Sequence, residues 1–410
     1  MKKLFALLLS LAMVLALVAC GQKDPTPDTP DTPDDPQTKV EYKVAMITDY
    51  GDITDQSFNQ TTYEACKAFA EDNSIEFSYF KPAGDNTADR VAMIEKAVDE
   101  GFNVIVMPGY AFGGAIVEAA PEFPDVKFIA LDVAAGDLLE TAVAKAGETY
   151  DYTPENWDLN KYVDMSNVYC AVYQEELCGY MAGYAAVKLG YKNLGFLGGM
   201  SVPAVVRYGY GFVQGANAAA ADMGLTDVTI NYIYGGQFFG DADITAVMDT
   251  WYQGGTEVVF ACGGGIYTSA VDAAKKVGAK VIGVDVDQAG VIAKYAGVDG
   301  MTVTSAMKGL YPATYDTLTD VIVNGNWDKY VGKIATLGLV SGTDPEANYV
   351  QIPMGDGTQW SDSFTQDDYK AMVKDMFDGK ITVSNNTSSD VSAASFATVI
   401  TVDDQGSIKG

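Results

Sequence analysis

From residue 43 onward, short β-branched apolar runs alternate with helical patterns, and the alternation is carried through twice. Strand-like runs fall at 43–48, 75–80, 104–107 and 127–131, with 3.6-residue periodicity between them at 57–72, 87–100 and 112–122. A second series has strand character at 168–172, 193–197, 229–234, 257–261 and 280–284, and helical character at 175–189, 204–223, 241–253 and 266–277. Parallel strands need a long crossover, which a helix supplies, so this rhythm specifies βαβ units and parallel sheets. Two such series in succession point to two similar α/β domains facing each other as a hinged clamp.

The rhythm also sets the domain boundaries. Residues 132–167 interrupt it with Gly136, Gly147, Pro154, Trp157 and several acids; 138–146 suits a short helix and the rest an excursion over the surface. The expected partition is a first lobe at 40–166 with an insertion at 133–166, a second lobe at 167–300, and segments at 301–385 that return to the lobes. Within those returning segments, strands are expected at 302–305 and 331–337 and helices at 310–323 and 365–377. The tail at 386–410 is rich in Ser and Asn, with a β-like run at 396–402 that receives no place.

Small ligands of open α/β sheets bind beyond the carboxyl ends of the strands. The first strand runs into Thr48-Asp49-Tyr50-Gly51, which puts Asp49, Asp55, Phe58 and Asn59 where a ligand is expected. Later strands end in Asp132, in Gly235-Gly236-Gln237-Phe238-Phe239-Gly240-Asp241, in Cys262-Gly263-Gly264-Gly265, in Asp285-Val286-Asp287 and in Ser305-Ala306-Met307-Lys308. Taken singly, an Asp after a strand is most often a turn former or helix cap, and a lone Phe is most often core. The Gly263–Gly265 triplet lacks the Lys-Ser/Thr of a phosphate loop, and the surrounding acids repel phosphate. Convergence at successive strand ends raises the functional reading. Carboxylates suit hydroxyl and base N–H donors, and phenylalanines on facing walls suit a flat ring, so a nucleoside fits both features.

Composition removes whole classes of chemistry. The chain has no histidine, which excludes Ser-His-Asp, Cys-His and His-metal arrangements, and no metal or cofactor is expected. A formal charge of −29, with Arg90 and Arg207 as the only arginines, argues against nucleic acid as a partner. The same charge favours a soluble, monomeric body. The length of 410 residues and the 48% hydrophobic content suit two ordinary domains. Cys66, Cys170, Cys178 and Cys262 match no metal spacing and read as small buried hydrophobes.

The N-terminus carries an address. Lys2-Lys3, an apolar stretch from Leu4 to Leu17, and the site Leu17-Val18-Ala19-Cys20-Gly21 have the three parts of a secretory signal covering residues 1–19. Its apolar core is too short to span a bilayer comfortably. A cysteine at the cleavage point resembles the bacterial lipobox, which implies that Cys20 carries the lipid, palmitate included, of an extracytoplasmic lipoprotein anchored to the cell membrane. Residues 20–39 (DPTPDTPDTPDDPQT at their centre) lack apolar surface to bury and are rich in proline, so they read as a disordered, semi-stiff tether.

As a set, Asp49 with Asp55-Gln56-Ser57-Phe58-Asn59-Gln60, Gly198-Gly199-Met200 with Pro203, Arg207-Tyr208 and Gly211-Phe212, Gly263-Gly264, Val281 to Gln288, and Thr304-Ser305-Ala306-Met307-Lys308 resemble the basic membrane protein family. These PnrA-like lipoproteins are substrate-binding subunits of ABC transporters, and the similarity covers roughly residues 40–340. The resemblance implies a periplasmic-binding-protein-like fold of type I, with two Rossmann-like parallel-sheet domains, a hinge and a ligand cleft between them. It implies nucleoside uptake through a membrane permease, with a purine preference and no enzymatic step. Carried over residue by residue, it implies that Phe58 and Phe239 stack on the base. Asp49, Asn59 and Asp132 would then bond base edges or neighbouring groups, and Gly263, Asp285 and Lys308 would hold the ribose. The chain departs from the family pattern at Tyr208, at Gln237-Phe238-Phe239-Gly240-Asp241, where Phe238 competes with Phe239 for the stacking place, and in the length of the 132–167 excursion. Two other readings remain: the same clamp binding a sugar or a signalling molecule, and a nucleoside hydrolase, whose acid-rich N-terminal loop Thr48–Asp55 resembles faintly.

Overall fold

Buried strands between two layers of helices must be apolar on both faces, and the runs read from the sequence are. The computed structural model describes residues 41–409, so the expected signal peptide, Cys20 and the tether at 20–39 lie outside the described residues. The first sheet is built from β1 (Lys43–Ile47), β2 (Glu76–Phe80), β3 (Val104–Pro108), β4 (Lys127–Leu131) and β5 (Val168–Tyr173). The helices α1 (Phe58–Asn73), α2 (Thr87–Asp99), α3 (Gly113–Ala119), α4 (Ala135–Lys145) and the short α5 (Leu159–Tyr162) connect them. Every residue of β3 is buried, as a central parallel strand requires. Asn86 caps α2 by accepting the Asp89 N–H, and Ser74 ends α1 in the left-handed conformation.

The second sheet follows the same plan. After α6 (Glu175–Lys188) come β6 (Asn193–Gly198), α7 (Pro203–Met223), β7 (Thr229–Tyr234), α8 (Ala242–Gln253), β8 (Val258–Cys262), α9 (Tyr267–Val277), β9 (Lys280–Asp285), α10 (Ala289–Ala296) and β10 (Thr302–Lys308). The chain then runs through α11 (Leu310–Leu318), β11 (Lys333–Leu337), β12 (Val350–Gln351), α12 (Gln366–Phe377) and β13 (Thr401–Ser407). Spatial order is β2-β1-β3-β4-β5-β11 in one sheet and β13-β7-β6-β8-β9-β10-β12 in the other. Within both, the order reverses beside the first strand, between β1 and β3 and between β6 and β8. That reversal is the switch point at which the crossover helices diverge and open a crevice. Residues 42–409 belong to one compact unit.

Three features differ from the sequence reading. β5 pairs in parallel with β4 and belongs to the first sheet, so the chain crosses to the second lobe after Tyr173, not at the 167 boundary. The run at 396–402 overlaps the strand only at Thr401-Val402; Ala393–Phe396 makes a single helical turn, and Thr401–Ser407 pairs in parallel with β7. The helix expected at 310–323 stops being α-helical at Leu318 and continues as a wider turn through Val323. The excursion after Asp132 holds α4 against the lobe, and its outer part is tied by Tyr150, Trp157 and Tyr162, whose rings stand 5.8 and 5.4 Å apart in sequence. Among the described residues, Cys66, Cys170, Cys178 and Cys262 are buried and unbridged.

α6 and α7 cross at backbone contact. A Cβ on Gly179 would lie 2.3 Å from the Tyr208 carbonyl oxygen, and one on Gly183 would lie 2.1 Å from that of Phe212. No side chain can occupy these places without moving a helix, and the same helices carry Glu175, Arg207 and Tyr208 to the interlobe cleft. Gly183→Ala is expected to lower stability by about 1–3 kcal/mol through overpacking, read as a lower urea midpoint at constant slope. An unchanged midpoint would show that the two helices are not held at this distance.

Candidate ligand-binding site

The carboxyl ends of both sheets open on one cavity of about 450 Å³. All eight residues expected from the sequence, Asp49, Phe58, Asn59, Asp132, Phe239, Gly263, Asp285 and Lys308, line it. The first lobe supplies Asp49 directly after β1 and Phe58-Asn59 at the start of α1. Asp49 Oδ1 accepts the N–H groups of Tyr50 and Gly51, both at 2.7 Å, and the Asn59 amide at 3.2 Å. Burial raises the Asp49 pKa, while these donors and Arg90 oppose the shift. Asp55 lines the cavity too, but its carboxylate accepts the N–H groups of Ser57, Asn59 and Gln60, so it is chiefly the cap of α1.

Phe238 and Phe239 divide their duties. Phe238 is half-buried in a slot beside two glycines: a Cβ on Gly199 would lie 2.4 Å from its ring and one on Gly263 2.9 Å. Phe239 is 54% exposed and free to meet a ligand. Phe58 stands on the opposite lobe, with the Lys308 ammonium 4.7 Å from its ring centre.

At the floor of the cavity lies a buried charge cluster. Lys308, the last residue of β10, pairs with Asp132, and its Nζ lies 3.6 Å from Glu175 Oε1 and 3.7 Å from Asp285 Oδ1. Arg207 on α7 donates its Nε–H to Glu175 Oε2 at 2.7 Å. Three carboxylates outweigh the cost of burying the ammonium and raise the Lys308 pKa, so it stays charged. Asp132 and Asp285 both adopt left-handed backbone, with φ of 61° and 65°, at equivalent places after β4 and at the end of β9. Non-glycine residues hold that conformation at a cost, and here it turns each carboxylate toward the lysine.

The cluster also joins the lobes. Ser57 Oγ donates to Asp285 Oδ2 at 2.6 Å and Gln288 Nε2 donates to the Gln56 carbonyl at 3.2 Å, both across the cleft, while within the second lobe Tyr208 OH donates to Asp285 Oδ1 at 3.2 Å. Glu175 and Asp137 were not singled out in the sequence, and Arg207 appeared there in a motif without a role. Glu175, Arg207 and Asp137 take part because tertiary folding gathers them, although two acids, Glu175 and Glu176, heading an otherwise apolar helix were a visible signal. Buried acceptors without a hydrogen-bond partner among the described residues remain at Asn59 Oδ1, Asp132 Oδ1 and Glu175 Oε1, the last of which has only its ion pair with Lys308.

Two parallel-sheet lobes whose switch points face one cavity make up a periplasmic-binding-protein-like fold. The fold resembles the crystal structure of an ABC transporter solute-binding protein from Aeropyrum pernix, with a TM-score of 0.62 and 19% identity over 85% of this chain and 95% of that one. Residues 42–345 match the family model described as ABC transporter substrate-binding protein PnrA-like, and the chain belongs to that family. Among its relatives are the ABC transporter nucleoside-binding protein BmpA of Lactococcus lactis, 25% identical over 92% of this chain and 96% of that protein. Basic membrane protein B of Borreliella burgdorferi is 26% identical over 76% of this chain and 83% of its own. Among the described residues, no helix is long and apolar enough to cross a membrane.

Asp137, in the first turn of α4 on the cavity wall, gives the site a pH dependence. Burial pushes its carboxyl up to about 7 from an ordinary 3.8, against the Ala134 N–H and Arg207, which lower it. The folded protein therefore holds more protons than the unfolded chain between those values, and stability falls as pH rises through them. Asp137→Asn removes this loss, so it should raise the melting temperature more at about pH 8 than at about pH 5. An equal shift at both would show that Asp137 is ionised throughout.

Proposed function

We propose that this protein is a lipid-anchored, extracytoplasmic receptor that closes on a nucleoside, purine in preference to pyrimidine, and delivers it to the permease of an ABC transporter. The observation that carries the reading is the pair of phenylalanines on opposite lobes, Phe58 and Phe239, flanking a cavity whose polar groups are mostly acceptors. A base stacked between them gains roughly 1–3 kcal/mol per ring contact. The three donors to Asp49 all reach Oδ1, which leaves Oδ2 for a base N–H, and Asn59 Oδ1 and Asp132 Oδ1 are further acceptors for such donors. Ribose hydroxyls are assigned to Asp285 and Lys308, with the Gly263 backbone beside them. Anchoring is assigned to Cys20 on the strength of the N-terminal sequence, and the relative described as nucleoside-binding supports the ligand class.

Six carboxyl groups line the cavity (Asp49, Asp52, Asp55, Asp132, Asp137, Asp285) against two cations (Arg207, Lys308), so a phosphate would enter a repulsive field. Isothermal titration of the tether-free body should therefore give heat with guanosine, inosine or adenosine and none with the matching monophosphates. Phe239→Ala should weaken nucleoside binding by about tenfold or more. Heat with a free sugar and with no nucleoside would overturn the reading.

A further inference from the structure

The region matched by the family model ends at residue 345, yet the chain beyond it returns to the cleft. β13 is the edge strand of the second sheet and pairs in parallel with β7, so its carboxyl end emerges on the ligand side of the sheet. The ladder continues one residue further, where the Ile408 N–H donates to the Tyr234 carbonyl at 2.8 Å. That places Lys409 against the segment that follows β7, which carries Phe238 and Phe239. The two chains touch: a Cβ on Gly236, whose φ is +80°, would lie 2.7 Å from the Lys409 carbonyl oxygen.

The Lys409 ammonium donates to Gln237 Oε1 at 2.8 Å and pairs with the Asp241 carboxylate. An ammonium only donates, so it fixes which end of the Gln237 amide faces it. The amide nitrogen is thereby turned inward, donating to the Phe239 carbonyl at 2.9 Å and to Asp241 Oδ2 at 3.0 Å. Asp241 in turn caps α8 by accepting the Ile244 N–H. A half-exposed ion pair of this kind contributes little to global stability. Its consequence lies in the loop.

We propose that Lys409 is a positioning residue of the binding site: through Gln237 and Asp241 it straps the 237–241 loop and holds the Phe239 ring in place for an aromatic ligand. The affinity part of this claim rests on the reading of Phe239 as a stacking residue; the loop part does not. Lys409→Ala and Lys409→Arg should be compared in the otherwise intact protein by guanosine titration, by hydrogen–deuterium exchange of the peptide around 235–242, and by melting temperature. The alanine variant should bind guanosine about fivefold to tenfold more weakly, with faster exchange in that peptide and a nearly unchanged melting temperature, and arginine should restore most of both. Unchanged exchange in the alanine variant, or faster exchange with unaltered affinity, would overturn the proposal. If the wild type binds no nucleoside, the nucleoside reading fails on its own, and the exchange result still decides whether Lys409 straps the loop.

Discussion

A single buried ammonium sets the terms for the cleft. Lys308 is 5% exposed and sits among Asp132 from the first lobe, Asp285 from the second and Glu175 at the head of the crossing helix. Burying a charge of either sign alone is costly, and the cluster is tolerable only because the signs interleave and Arg207 shares the load on Glu175. The groups come from β4, α6, α7, β9 and β10, so their coincidence requires both sheets and the close crossing of α6 over α7. Packing at the glycines of those helices thus becomes a condition for the electrostatics of the cavity.

The internal repeat gives this arrangement its geometry. In each lobe a strand ends in an aspartate with left-handed backbone, Asp132 in one and Asp285 in the other, and both face the same lysine. Ser57 reaches Asp285 across the cleft, so the segment that holds Phe58 is fastened to the opposite lobe. Aromatic walls and charged floor are therefore mechanically linked.

Much of this was legible in the sequence because parallel strands are apolar on both faces and end in recognisable turn residues. β7 falls at the expected 229–234, and the cavity lining contains each of the eight residues singled out at the strand ends. Tertiary choices were not legible. β5 reads as well for one lobe as for the other, and only its pairing with β4 decides. β13, with the sequence TVDDQGS and mostly exposed, has none of the apolar character of the other strands, and its place depends on the free edge of β7. Glu175 looked like an ordinary acid in a first helical turn until folding brought Arg207 and Lys308 to it.

The most direct measurement is a crystal structure of the tether-free protein grown with guanosine. The purine ring is expected between Phe58 and Phe239, with the ribose hydroxyls within about 3 Å of Asp285 and Lys308. A nucleoside seated outside the interlobe cavity, or one lying in it with neither phenylalanine against the base, would contradict this placement.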